Sequence, residues 1–451
     1  MTQCTQSSFE FEGHFSRAVV ARFDGGAMTS DGGALLLREA DRRVNLLARL
    51  GCGFEDRRKP WLIEHSVAEL VAQRVYGLAL GYEDLSDHDE LRADPLLAVL
   101  SGKRAAGERK LAGKSTLNRL ELSTGEPDRY KKVECHQEAI DELLVRVFIE
   151  AHTAPPDSIV LDLDATDLPL YGHQEGRFFH GYYDEYCYLP LYIFAGEHLL
   201  CARLRTADQD AAVGSQTEVE RIVVQLRAAW PETKIIVRGD SGFCRDELMS
   251  WCETNKVHYV FGCARNARLL GLIEAPLAAA ARRHQETGKP ARVCTGFDYQ
   301  THDSWSCARR VVAKAEQIEG QQNPRFVVTN WSADEWAAQA LYEELYCARG
   351  EMENRIKEQL SLFATRVSAE SLRANQLRLS FAGYAYVLMH ALRRLGLKGT
   401  QLERAQATTI RLKLLKLGAR IRITARKVWL SLAASFPLQV VFEQAWRQLR
   451  C

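Results

Sequence analysis

The stretch Ile159-Val160-Leu161-Asp162-Leu163-Asp164-Ala165-Thr166-Asp167 constrains this chain more than any other. It follows the turn cluster Pro155-Pro156-Asp157-Ser158 and opens as a short, β-branched apolar run, which marks a buried strand rather than a helix. Strand alternation puts Asp162 and Asp164 on one face and Leu161 and Leu163 on the other. Carboxylates at the end of a central strand are costly to bury unless something positive sits on them. A bound divalent cation would meet that need, and the rest of the chain must supply its other ligands.

Ile235-Ile236-Val237-Arg238-Gly239-Asp240-Ser241-Gly242-Phe243 repeats the design, an apolar strand delivering Asp240 at its carboxyl end. Gly239 and Gly242 allow a tight turn and close approach of a ligand, and open α/β sheets bind ligands at such ends. The plain alternative is an Asp that caps the next helix. A third carboxylate comes from a helical pattern in which Tyr346, Arg349, Glu353 and Lys357, spaced 3, 4 and 4, form one polar stripe. Leu341, Leu345, Ala348, Met352 and Ile356 form the apolar stripe beside it, which would pack the helix on the sheet. By itself that polar stripe reads as a solvated face with i,i+4 ion pairs. Two strand-end aspartates and a helical glutamate together are what a two-metal phosphoryl-transfer site requires, because Mg²⁺ takes hard oxygen ligands and leaves room for water and phosphate.

At 451 residues the chain is long enough for two or three domains. With 46% apolar and 26% charged residues it reads as an ordinary folded protein. Its net charge of +1 hides an asymmetry. Residues 361–451 hold 16 Lys and Arg against 3 Asp and Glu, whereas the remainder holds 43 against 55. A basic tail on an acidic body points to a polyanionic partner. The 12 cysteines are scattered without a C-x-x-C pair, so reduced thiols in a cytoplasmic protein are expected rather than zinc or disulfides. No export signal and no membrane-length apolar run are visible.

Along the chain, residues 8–24 read as weak strands, and Ser30-Asp31-Gly32-Gly33 as the cap of an amphipathic helix. Helical patterns cover roughly 61–80, several short pieces of 84–124, and a long helix carrying Ile140, Leu143, Leu144, Val147 and Phe148. Residues 1–153 are expected to form a mainly helical domain, with DNA binding as its expected role. Strands and helices then alternate from residue 158, as in a mixed α/β sheet. Runs at 291–299, 306–315 and 325–331 read as an all-β insert, and Ser332-Ala333-Asp334-Glu335 as the capping box of the next helix. The catalytic core is expected over 154–361, with a basic, mostly helical region over 362–451 for DNA binding or dimerisation.

Asp164-Ala-Thr166, Arg238-Gly-Asp240-Ser-Gly-Phe243 and Tyr346-x2-Arg349-x3-Glu353 resemble the three motifs of bacterial insertion-sequence DDE transposases. The stretches at 173–176, 179–183 and 188–191 resemble a subgroup of that family. The resemblance implies an α/β, ribonuclease-H-like core with a β-rich insertion between the second Asp and the Glu. It also implies two Mg²⁺ (or Mn²⁺) ions held by Asp164, Asp240 and Glu353, and a homodimer on DNA carrying terminal inverted repeats. Between the two strand aspartates it favours Asp164 over the alternate Asp162. In one respect the chain departs from the pattern: the family's lysine, separated from the Glu by six residues, would fall at Leu360, and Lys357 stands in for it. Tyr346, Arg349 and Lys357 are expected to position phosphates, with Arg238 also against DNA. A plain structure-selective nuclease and a catalytically silent DNA-binding regulator are the alternatives.

Gly113-Lys114-Ser115-Thr116 imitates the end of a P-loop, yet Glu108 stands where the upstream glycine belongs. His173 and His180, seven apart without partnering ligands, do not read as zinc ligands. Trp305 and Trp331 default to core packing, with stacking of Trp331 on an unpaired base as the sharper reading. In the tail, Arg411, Lys413, Lys416, Arg420, Arg422, Arg426 and Lys427 fall within seventeen residues, interleaved with Leu412, Leu414, Leu415, Leu417, Ile421 and Ile423, as an amphipathic segment expected to neutralise phosphates, with Arg411, Lys413 and Lys416 as its leading contacts.

Overall fold

The computed structural model describes residues 8–103, 109–123 and 131–450. They divide into two compact units: residues 137–360 with 364–383, and the two ends of the chain, up to residue 136 and from 384 onward, together with 361–363. This differs from the three consecutive regions expected from the sequence. The helix α1 (Gln137–Glu150) belongs with the sheet because Val145 and Phe148 are buried in its core and Asp141 pairs with Arg203.

The first of these units is organised by a sheet of nine strands. Eight lie on one path: β1 (Ser158–Ala165), β2 (Leu191–Ala195), β3 (His198–Arg203), β4 (Lys234–Gly239), β5 (His258–Cys263), β6 (Ala291–Tyr299), β7 (Arg309–Ile318) and β8 (Arg325–Thr329). Their order is β3-β2-β1-β4-β5-β8-β7-β6. The first three form an antiparallel meander, β4 and β5 run parallel to β1, and the last three return antiparallel. The three strands expected as a separate insert thus extend the central sheet, since Val327 and Val328 pair with Gly262 and Phe261 of β5.

Alternation sorts the two faces. Leu161, Leu163, Ile193, Ile235, Val237, Tyr259, Phe261 and Val311 point to one face, closed by Val219, Ile222 and Leu226 of α2 (Ser215–Ala229) and Leu248 and Met249 of α3 (Asp246–Thr254). Ile236, Val260, Val312 and Val327 point to the other, covered by Leu341, Tyr342 and Leu345. Asp162 and Asp164 alternate with Leu161 and Leu163 and therefore lie on this second face. Trp305 and Trp331 are both buried, and Trp331 stacks on His258 at 3.6 Å between ring centroids.

The covering segment is not one regular helix. A wide π-type turn spans Leu341–Tyr346, a tight 3₁₀ turn Cys347–Arg349, and α4 runs over Gly350–Ser361. Ala348, expected on the apolar stripe, is exposed in consequence. The Ser332–Glu335 box does form, each residue bonding the other's backbone N–H, but it closes a turn, and helix begins only at Ala338.

The second unit is helical with small sheets. Val67–Leu80 is its central helix, opened by a capping box between Ser66 and Glu69 and buried along nearly its whole length. Asp31 caps nothing through its side chain. Its carboxylate instead accepts from the Tyr82 hydroxyl at 2.6 Å and pairs with Lys416 at 2.7 Å. Gly33 is demanded by close approach, since a Cβ there would lie 2.1 Å from the Leu414 carbonyl oxygen. The tail is less helical than its pattern implies. Ala419–Ile423 and Val428–Leu432 form an antiparallel hairpin that also pairs with Met28–Thr29. Alternation of apolar and basic residues at period 2 explains the difference, because it serves a half-buried strand and not a helix.

Candidate active site

Asp164 ends β1, and Asp240 follows β4 on the adjacent parallel strand, so the sheet itself brings the two carboxylates to one edge. Asp240 is held by its own turn: the Gly242 N–H donates to its Oδ1 at 2.8 Å. Across from both stands Arg349, whose Nη2 lies 3.0 Å from Asp164 Oδ1 and 3.9 Å from Asp240 Oδ2. Burial pushes the Asp164 carboxyl up to about 6; the Arg349 charge opposes the rise, while Asp240 and Glu353 add to it. Glu353 sits exposed on α4, near enough for its charge to register on Asp164. Three carboxylates and one guanidinium therefore share one field.

Tyr346 closes the site from the π-type turn. Burial raises the pKa of its phenol, with Asp240 adding to the rise and Arg349 opposing it. Its hydroxyl would lie 2.7 Å from a Cβ at Gly262, and the Ser241 nitrogen would be 2.9 Å away. Only glycine at 262 lets β5, the Asp240 turn and Tyr346 meet. Lys357 is exposed one turn beyond Glu353.

Several expected site residues have other work. Asp162, the alternate ligand, is buried with both oxygens on Arg238, at 2.5 Å from Nε and 2.7 Å from Nη2. Arg238 also donates to the Leu345 carbonyl, so its guanidinium ties β1, β4 and the covering segment together. Trp331 is buried in the core and stacked on His258, the packing role that was its default reading. In the other unit, Arg411 is buried and donates to the carbonyls of Ala79 and Ser361. Lys416 is taken up by Asp31 and Tyr82, and Lys413 alone of the three is exposed and unpaired among the described residues.

Two residues near the site have roles that their place in the sequence does not assign. Tyr183 is shifted up to about 12, by burial first and then by the charges of Asp167 and Asp164. Arg205 is buried and donates to the carbonyls of Leu189, Ala211 and Val213, fixing the loop that packs against Gly242. Tyr183 belongs to the 179–183 stretch, but nothing in its spacing marks its approach to Asp164, and Arg205 holds backbone carbonyls, which leave no mark in a sequence.

The donor set is all carboxylate oxygen, which suits Mg²⁺ or Mn²⁺ and not a thiophilic metal. Among the described residues, no three His, Cys, Asp or Glu side chains are gathered closely enough to hold an ion as they stand. Arg349 supplies the countercharge that a cation would supply, and its Nε is buried without a partner. The residues fit such an ion in chemistry, with Arg349 as the group that would yield.

No helix among the described residues is long and apolar enough to cross a membrane. The model of a family described as transposase DDE domain group 1 matches residues 11–451. No curated protein matches significantly. Among solved structures the chain is similar to a piggyBac transposase, in a synaptic complex with hairpin DNA, at 11% identity and a TM-score of 0.40, over 84% of this chain and 80% of that one. With the family match covering all but the first ten residues, the chain belongs to the transposase DDE domain family, group 1.

Proposed function

We propose that the protein is the transposase of a bacterial insertion sequence, cutting DNA at the element's terminal inverted repeats and joining the freed 3′-OH ends to target DNA. The observation that carries this reading is the meeting of Asp164, Asp240 and Arg349 at the carboxyl ends of adjacent parallel strands, with Glu353 on the covering helix. The strand order of meander and parallel pair supports a ribonuclease-H-like core. Asp164, Asp240 and Glu353 would hold Mg²⁺ (or Mn²⁺), two ions per site, Asp164 being favoured over Asp162 because Arg238 already neutralises the latter. When bound, such ions activate the attacking oxygen and stabilise the leaving one. Arg349, released from the two carboxylates, would then meet the scissile phosphate, with Tyr346 and exposed Lys357 beside it. The chemistry needs positioning and charge neutralisation and no covalent nucleophile. A homodimer on paired ends, in the cytoplasm, completes the proposal.

The test uses labelled element-end duplex and the purified full chain. Nicking and strand transfer in Mg²⁺ are expected of the native protein, and Asp164→Asn, Asp240→Asn and Glu353→Gln should each abolish both while binding persists. Asp162→Asn should lower the melting temperature instead. Cleavage near the native rate in Asp240→Asn would remove it from the site. Nicking without strand transfer would return the protein to the plain nucleases, and binding without either to the silent regulators.

A further inference from the structure

The positive charge of the tail does not lie where an amphipathic helix would put it. Arg411 is buried and Lys416 is neutralised, but the hairpin Ala419–Ile423/Val428–Leu432 carries the remaining cations of the same run on a strand face. Its register pairs Arg420 with Ser431 and Arg422 with Trp429, so one face of the ribbon carries Arg420, Arg422, Trp429 and Ser431. All four are exposed. The opposite face carries Ala419, Ile421, Ile423, Val428, Leu430 and Leu432, of which Ala419 and Ile421 are buried. Arg426 and Lys427 sit at the tip, whose loop Thr424 closes by bonding Lys427 through both its amide and its hydroxyl.

Two further features single this ribbon out. From residue 404 to residue 442 the chain contains no Asp or Glu, and among the described residues none of Arg420, Arg422, Arg426 and Lys427 pairs with a carboxylate. Trp429, 47% exposed, lies under both Arg422 and Lys427, at 5.8 and 5.1 Å from the ring centroid. Stacking on the indole steadies the cations without discharging them, since a ring quadrupole leaves the N–H groups free to donate outward. A ribbon of two strands is a shape the major groove admits, at a groove width of about 12 Å.

We propose that this β-ribbon docks in the groove of duplex DNA, its basic face gripping phosphates on both sides. The inference rests on DNA being the substrate, and names the surface that grips it. Phosphate contacts of this kind set register and affinity without reading sequence.

The test is the salt dependence of binding of the full chain to a labelled element-end duplex, by fluorescence anisotropy across a KCl series. Each phosphate contact contributes about 0.9 to the slope of log K against log salt. Replacing Arg420, Arg422 and Lys427 together with Gln should make the slope shallower by about 2 to 3 units, at unchanged melting temperature. Replacing the exposed Arg282, Arg283 and Lys289 of the other unit removes the same charge and should leave the slope as it was. An unchanged slope in the ribbon variant overturns the ribbon while the transposase reading stands. Equal flattening by both triple variants also overturns it, as bulk charge. Flattening on single-stranded DNA alone excludes groove docking. Absence of salt-dependent DNA binding by the native chain would sink the transposase reading itself.

Discussion

His88 is fully buried beside the central helix of the chain-end unit, and its chemistry makes that unit acid-sensitive. Gln73 holds it in place: the amide donates to His88 Nδ1 at 3.1 Å and to the Ala112 carbonyl at 2.8 Å, and accepts from the Ala112 N–H at 3.2 Å. Since Nδ1 accepts, the ring proton sits on Nε2, which has no partner. Burial, with the Arg74 charge adding, lowers the His88 pKa to about 3. Between that value and the ordinary 6.5 the unfolded chain binds the extra proton, so stability is full above pH 6.5 and is lost as pH falls. From pH 6.5 to pH 5 the loss should reach about 2 kcal/mol, at roughly 1.4 kcal/mol per unit. His88→Gln should flatten the melting temperature over that interval, and an equally steep fall in the variant would place the acid sensitivity elsewhere. Arg238 shows the same economy of burial: its guanidinium is enclosed only because Asp162 and the Leu345 carbonyl satisfy it.

At the scale of elements, the covering segment at 341–361 and β5 are fitted to each other through Gly262. Adding a methyl there sets a carbon against the Tyr346 hydroxyl and the Ser241 backbone, and the backbone cannot swing aside as a side chain end can. Gly262→Ala is expected to displace the Asp240 turn, lowering cleavage by about tenfold or more while costing about 1–3 kcal/mol in stability. Native cleavage at reduced stability would show that the turn tolerates the shift. Residue spacing made much of this site legible. The strands that deliver Asp164 and Asp240 follow from apolar runs ended by carboxylates, whereas the 3-4-4 stripe of Tyr346, Arg349 and Glu353 is drawn on a regular helix that a π-type and a 3₁₀ turn replace. Spacing failed where one partner lies far away in sequence. Arg238 reads as a free cation because Asp162 is 76 residues upstream, and Arg411 because Ala79 is 332 upstream. It fails again in the tail, where a dense run of Leu and Arg masks the period 2 of the hairpin strands.

At the scale of the whole molecule, one unit is built from both ends of the chain. Its closing contacts are specific: the Gly32 N–H donates to the Leu417 carbonyl at 2.7 Å, the Ile421 N–H to the Ala27 carbonyl at 2.8 Å, and Asp31 meets Lys416. Ending the chain after residue 405 removes all of these. The expected result is protease-sensitive residues 8–123 beside an unaffected, resistant 137–383, read by limited digestion and mass spectrometry. Equal resistance of residues 8–123 in the shortened chain would show that they fold without the tail.

Shared construction from two ends also has a meaning in time. A ribosome releases Met28 and Thr29 long before their partner strand at 419–423. During that interval the sheet-bearing unit at 137–383 can form and the chain-end unit cannot. A chain that stops short of residue 419 is therefore expected to lack both the β-ribbon and the pairing that Met28 and Thr29 require, rather than to persist as a smaller folded protein. Closure of this unit thus waits on the synthesis of residues 419–423, by topology alone.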